Sequence, residues 1–336
     1  MREDFPLQAA VLSEDALGSY IISNYFSINA SLHCRLFWRS IHDVYRIISG
    51  NDVYFYKVYK QGFRRREEIQ SEIDILNHLK MSGIKTVYPI PQKDGSYIGQ
   101  FKTVLGDRYG VLYASSGRRA WDEVEETPRL NENLGGYVAS IHKALDEWNG
   151  DSDRWELNTK LFVDDSVAEM ERFSEIHHFD IGFLKDVAAK IKRKINTLSV
   201  DKPAYGLCHG DMYGGNIRVN EDNDPVLYDF DFCGMGWRTY DISVYAYQFG
   251  LGCDPNKFEK REKRKASFLE GYNKIRPMSA GEINSLPVFV PFRRIFNLGI
   301  LYIYLMHNAW GDCYTIGNIG ADIINLKKWV ELNPVI

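Results

Sequence analysis

The chain is poor in the features that would place it in many function classes. Its 336 residues hold only five cysteines, Cys34, Cys208, Cys233, Cys253 and Cys313, and no two of them form a C-x-x-C pair. An odd number of scattered thiols builds neither a disulfide framework nor a zinc knuckle, and suits a reducing, cytoplasmic setting. Long apolar runs are scarce. The longest, FNLGILYIYLMHNAW at 296–310, has the length of a buried helix rather than of a membrane span. The first residues, MREDFPLQAAVLSEDALGSY, carry acids where a secretory leader needs basic residues. A net charge of −4 gives no global attraction for nucleic acid. No internal repeat is present. G-x-x-x-x-G-K-[ST], H-E-x-x-H and G-x-S-x-G are all missing, which removes P-loop, zincin and α/β-hydrolase chemistry.

What remains is an ordinary globular composition, 45% hydrophobic and 26% charged, in a chain too long for one small core. Apolar spacing predicts a helix over 7–25. DVYRIIS and VYFYKVY alternate around GND, which predicts two strands and a tight turn. Ile69, Ile73, Leu76 and Leu79 recur at three or four residues, so 65–83 is predicted helical, with Gly83 as its stop. Strand-like runs follow at 96–101 and 109–115, and ASSGRRAW breaks the pattern as a hinge. Helical patterns cover 131–148, 167–176 and 183–198, and return from about 239 to the end. A small β-rich lobe thus precedes a larger helical one, and their junction is the expected place for a ligand cleft.

Two stretches carry chemistry. In LCHGDMYGGNIRV (207–219), Asp211 is able to accept a hydroxyl proton, and Asn216 offers an amide oxygen suited to a hard metal. Gly214 and Gly215 are expected to fold the backbone back between them. The competing reading is a turn with Asp and Asn in their usual turn roles. Thirteen residues on, VLYDFDFCG sets Asp229 and Asp231 after an apolar strand. Two such carboxylates need a positive partner, and Mg²⁺ is a fitting one. Alternation predicts both acids on one face of an extended segment.

The order HGDxxxxN and then DxD resembles the aminoglycoside phosphotransferase and choline kinase superfamily, small-molecule relatives of protein kinases. The resemblance implies an α+β, two-lobed, protein-kinase-like fold, with a nucleotide-binding lobe at 1–113 and a catalytic and substrate-binding lobe at 114–336. It implies ATP-dependent transfer to a hydroxyl of a small molecule, with GTP left open as donor. Asp211 would be the base, Asn216 and Asp229 metal ligands, and Asp231 a second metal acid. His209 would hold the loop by backbone hydrogen bonds and Asp241 would brace it. A kinase of this kind also needs a strand Lys and a helix Glu, and Lys57 in VYFYKVY and Glu72 in SEIDILNHL fill those places. Ile141–His142 ends a helix pattern of the family. Tyr113, Ala114 and Ser115 match its adenine-reading hinge. LFWRSIHDVYRI (36–47) has no Gly where a phosphate loop often has several, so Ser40 is the expected substitute.

The acceptor is not legible. Glu270, Glu282, Asp312 and Asp322 would suit a cationic acceptor, with solvated helix surface the favoured reading, and Trp310, Tyr302 and Tyr304 would form a cation cage or belong to the core. FRRIF (292–296) would suit an anionic acceptor. A bacterial stress-response type protein Ser/Thr kinase, and a nucleotide-binding pseudokinase, are the alternatives on the same fold.

Overall fold

A computed structural model describes the chain except residues 1–9, 26–27, 29–30, 117–118, 151, 221, 249–253, 307–310 and 334–336. Its first lobe is a six-stranded antiparallel sheet. The strands are β1 (Leu32–Arg39), β2 (Asp43–Ser49), β3 (Asp52–Val58), β4 (Pro89–Ile90), β5 (Gly99–Thr103) and β6 (Gly106–Ala114), in the order β1-β2-β3-β6-β4 with β5 also on β6. The β2–β3 turn pairs Ser49 with Asp52, and Gly50 takes φ 61° there. The period of two sorts the faces. Tyr45, Ile47, Tyr56 and Leu112 are fully buried with Leu17 and Ile21 of α1 (Glu14–Asn24). Val44, Phe55 and Lys57 point to the opposite face and line a cleft.

Helix α2 (Arg66–Met81) closes that side. Its stripe Ile69, Ile73, Leu76 and Leu79 is buried, and Glu68 and Glu72 share its inner surface one turn apart. The second lobe is mainly helical, with α3 (Pro128–Asp146), α4 (Ser166–His177), α5 (Ile181–Ile195), α6 (Arg238–Ala246), α7 (Phe258–Ile275), α8 (Ala280–Ser285), α9 (Phe289–Phe296) and α10 (Asp312–Leu332). Two small sheets, β7-β10-β11 and β8-β12-β9, carry the catalytic-loop region between them. Here β7 is Arg119–Ala120, β8 Trp155–Glu156, β9 Tyr205–Cys208, β10 Ile217–Val219, β11 Pro225–Leu227 and β12 Gly234–Trp237.

The apolar run that begins near 296 continues α9 as a π-helix, Asn297–Met306. The helical stretch 280–305 is long and apolar enough to cross a membrane, but 67% of its most apolar window is buried within the fold, so its apolarity is used in the core. The mixed-sign run at 257–268 lies mostly on the surface of α7, yet Arg264 turns inward to a buried pair with Glu126.

Helices α3 and α7 cross at two glycines. A Cβ on Gly271 would lie 1.9 Å from the Glu132 carbonyl oxygen, and one on Gly135 would lie 2.0 Å from that of Phe268. Gly136, one residue away, has room for a Cβ. Gly271→Ala is therefore expected to cost at least about 2 kcal/mol through overpacking. Gly136→Ala should be neutral or stabilising by up to about 1 kcal/mol through helix propensity. Urea unfolding of the two variants checks the contrast.

Candidate active site

The cleft between the lobes has a volume of about 710 Å³ and gathers Lys57, Glu72, Asp211, Asn216, Asp229 and Asp231. The β10–β11 hairpin explains part of this convergence. Ile217 pairs with Leu227, and Tyr228 N–H donates to the Asn216 carbonyl at 3.1 Å. Asn216 is thereby set across from Tyr228, beside Asp229. Asn216 donates Nδ2 to the Asp211 carboxylate and to its carbonyl, both at 2.9 Å, which leaves the amide oxygen as the atom able to take a hard cation.

The loop itself is held from below. Asp241, in the first turn of α6, accepts from His209 N at 2.6 Å and Gly210 N at 2.9 Å. His209 donates Nε2–H to the Tyr228 carbonyl at 3.0 Å, and its Nδ1 accepts from Asp211 N at 3.2 Å. The glycine that the loop needs for its backbone is Gly210. It has φ 81°, and a Cβ there would lie 2.0 Å from the Phe232 carbonyl oxygen. Gly214 and Gly215, expected to fold the chain back, have no left-handed φ. They form a 3-10 turn with Asn216, whose N–H donates to the Tyr213 carbonyl at 2.9 Å, and a Cβ on Gly215 would meet the Tyr213 ring at 2.3 Å.

Lys57 stands among three carboxylates. Its Nζ is 2.9 Å from Asp229, 3.7 Å from Asp231 and 3.8 Å from Glu72. The expected partner Glu72 is within ion-pair reach, but Asp229 is nearer. Burial works against the Lys57 charge, and Asp229, Asp231 and Glu72 outweigh it, so its pKa is raised. Glu72 is itself held by the Tyr59 hydroxyl at 3.1 Å and the Tyr113 hydroxyl at 3.4 Å.

The two acids of DFD are not on one extended face. Asp229 is left-handed at φ 61°, and Phe230–Phe232 form a 3-10 turn. The pair is also divided in role. The Asp229 side chain is 44% exposed and its charge is favoured by Lys57 against the cost of burial, which holds the carboxyl below the usual range. The Asp231 side chain is 2% exposed, and its oxygens are engaged by Arg64 Nε at 3.2 Å and His42 Nε2 at 3.0 Å. The Arg64 and Lys57 charges, with the hydrogen bond from His42, overcome its burial and keep it well below the usual carboxylate range. His42 accepts from Lys60 N at its Nδ1, so Nε2 carries the proton toward Asp231, and burial keeps the ring neutral. Expected as a second metal acid, Asp231 has one oxygen on Arg64 and the other on the neutral His42 in this structure, and it joins the two lobes.

Other expected residues are placed as follows. Ser40 closes the β1–β2 turn through its N–H to the His42 carbonyl at 3.1 Å and lines the cleft. Tyr113, Ala114 and Ser115 line it as well, but the Ser115 N–H donates to the Val53 carbonyl at 3.0 Å and is spent on the sheet. Glu270 pairs with Lys274 on the surface, Glu282 caps α8, and Asp322 is buried against Arg294, so none of these faces the cleft. Tyr302 and Tyr304 do not line it either. Trp310 and the Asp312 side chain lie outside what the structure describes.

Sequence reasoning missed three buried residues, and it marked a fourth, Arg293 of FRRIF, without finding its partner. Arg64 is sandwiched 4.1 Å from Trp155 and 4.3 Å from Phe63. Arg154 donates to the carbonyls of Glu68, Cys233 and Asp231. His42 is described above. Arg293, from FRRIF, donates to Asp211 itself. The only available signal for Arg64 was its position four residues before Glu68 at a helix start.

The sequence model of the "phosphotransferase enzyme family" matches residues 34–277. The chain belongs to that family. This phosphotransferase is 30% identical to an uncharacterized protein of Synechocystis, sll1119, over 84% of the chain and 76% of that protein. It is 22% identical to the amicoumacin kinase of Bacillus subtilis over 80% of each. A solved amicoumacin kinase, hAmiN, in complex with AMP-PNP, Ca²⁺ and Ami, superposes with a TM-score of 0.74 at 19% identity, covering 95% of this chain and 94% of that one. The fold is the two-lobed kinase-like one, and the chain is an ATP-dependent phosphotransferase.

His142 links this site to pH. It lies in α3, with Nε2 3.1 Å from Asp241 and Nδ1 2.8 Å from the Tyr272 hydroxyl. Burial, with the Arg238 charge, pushes its pKa down to about 4 from 6.5. The unfolded chain then binds more protons than the folded one as pH falls from about 6.5 to about 4, so stability is lost in that window. Between pH 7 and 5 this amounts to about 2 kcal/mol. Urea unfolding at the two pH values should give a smaller drop for His142→Gln than for the wild type, and equal drops would refute the assignment.

Proposed function

We propose that this phosphotransferase moves the γ-phosphoryl group of ATP to a hydroxyl of a small molecule, with Asp211 as general base. The observation that carries the reading is the joining of Asp211 to Asn216 on one loop, beside Asp229 and its ion pair with Lys57, in one interlobe cleft.

The donor set fits a divalent ion. Among the described residues no three His, Cys, Asp or Glu side chains cluster as a metal cage. Mg²⁺ does not need one, because it keeps waters and phosphate oxygens and takes one or two protein carboxylates. Asn216 and Asp229 would hold it, and when bound it supplies positive charge against the phosphate oxygens. Lys57 presents its ammonium to the α- and β-phosphates, and Glu72, fixed by Tyr59 and Tyr113, sets its position. The backbone around Ala114 receives the base at the cleft edge. Asp211 orients the acceptor hydroxyl and takes its proton on a carboxylate oxygen as the oxygen attacks phosphorus. The buried Asp241 contacts keep that carboxylate at a fixed height in the cleft, so the attack distance does not depend on a mobile loop.

ADP release, with ATP or GTP as donor and a panel of hydroxyl compounds as acceptors, tests the reading. Asp211→Asn should lower kcat by about 10²–10⁴-fold while nucleotide affinity is kept. Turnover by Asp211→Asn equal to the wild type would refute it.

A further inference from the structure

We infer that the acceptor carries an oxyanion, a carboxylate in a small hydroxy acid, and that Arg293 is the residue that selects it. This rests on the phosphotransfer reading above and deepens it.

The argument begins with the two arginines of α9. Arg294 is buried and fixed on Asp322. Arg293 turns the other way, into the cleft. It places one nitrogen on Asp211 Oδ1 and another 3.3 Å from the Tyr240 hydroxyl, and its side chain keeps 20% exposure. Phe296 and Asn297, one helical turn on, line the cleft beside it.

The remaining charges of the cleft are committed. Lys57 is bound to Asp229, and His42, which is neutral, gives its one N–H to Asp231. Arg218 donates to the carbonyls of Gly215 and Ile217 and lies over the Tyr228 ring. Among the described lining residues the acids are Glu72, Asp211, Asp229 and Asp231, and each has a cationic partner within 3.8 Å. A polycationic acceptor therefore finds no unshared carboxylate to replace its water, and that desolvation is costly.

An acid-bearing acceptor meets the opposite situation. Asp211 has both oxygens occupied, one by Asn216 and one by Arg293. A proton taken by Asp211 removes the charge that pairs with Arg293, the partner that keeps solvent exposure, so the guanidinium then needs another anion. A carboxylate takes a guanidinium by paired hydrogen bonds, so it offers Arg293 an equal partner. Binding of the acid and release of the base then become one event. The hydroxyl arrives at the oxygen that Arg293 has left. A neutral alcohol gives Arg293 nothing in exchange.

Matched acceptor pairs that differ only in the carboxylate test this: L-threonine against 1-aminopropan-2-ol, L-homoserine against 3-aminopropan-1-ol, and 4-hydroxybutyrate against butan-1-ol. Binding is measured by calorimetry with Mg²⁺ and AMP-PNP present, and turnover by ADP release with ATP, for wild type, Arg293→Met and Arg293→Lys. The expected result is that the acids bind and their partners do not. Arg293→Met should raise Kd and KM for the acid by about tenfold or more with kcat changed far less, and Arg293→Lys should recover part of the loss. The inference is overturned if a partner lacking the carboxylate binds as well as its acid, or if none of the acids binds. It is also overturned if Arg293→Met lowers kcat for acid and partner alike without moving KM, which would put the guanidinium on the transferring phosphoryl group. Acids that bind through Arg293 without any phosphoryl transfer would keep this anion site and remove the phosphotransfer reading instead.

Discussion

The Lys57 ammonium, buried between Asp229, Asp231 and Glu72, ties the two lobes of this protein together. A cation in that position is unfavourable by itself, and three carboxylates are unfavourable without it. Each group is tolerable only because the others are there. The strand that presents Lys57, the helix that presents Glu72 and the turn that presents Asp229 must therefore assemble together, and the cleft is what they enclose.

A second layer of buried arginines makes that assembly rigid. Arg64 and Arg154 both reach the backbone of Asp231, and Arg64 and His42 hold its carboxylate. Arg154 also takes the Glu68 carbonyl on α2, and Lys60 donates to the Leu305 carbonyl at 2.6 Å from the π-helical segment. Apart from the Arg154–Asp231 bond, which lies within the helical lobe, these bonds join the sheet lobe or α2 to the helical lobe. Asp231 thus has both oxygens engaged within the protein, whereas Asp229, half-exposed beside Asn216, is the more open carboxylate. The same division appears in α9, where Arg294 is fixed in the interior and Arg293 faces the base.

Much of this was legible in the sequence. Alternation in VYFYKVY set Lys57 on the face opposite Tyr56, and the i, i+4 stripe of α2 turned Glu72 inward. HGDMYGGN and DFD marked the loop and the turn that supply Asp211, Asn216 and Asp229. What sequence could not reveal depends on long-range packing. Arg64, Arg154 and His42 look like surface residues in their local context and become buried only when strands and helices far apart in the chain meet. The roles of Asp229 and Asp231 could not be separated, because that requires knowing that residue 229 is left-handed. The glycine reading was incomplete for a related reason. Gly214 and Gly215 do lie in a 3-10 turn, but the left-handed glycine is Gly210, pressed against Phe232 across 22 residues. The acids at Glu270, Glu282 and Asp322 were attractive by composition and are committed to surface or interior partners.

The division of labour between the two acids is most directly tested by metal binding. Mn²⁺, which reports on oxygen-ligand sites suited to Mg²⁺, is titrated by electron paramagnetic resonance in the presence of AMP-PNP, for wild type, Asp229→Asn and Asp231→Asn. The account predicts that Asp229→Asn weakens Mn²⁺ binding by about tenfold or more. Asp231→Asn, where it folds, should lose stability and keep most of the Mn²⁺ affinity. Unchanged Mn²⁺ affinity in Asp229→Asn would contradict the account.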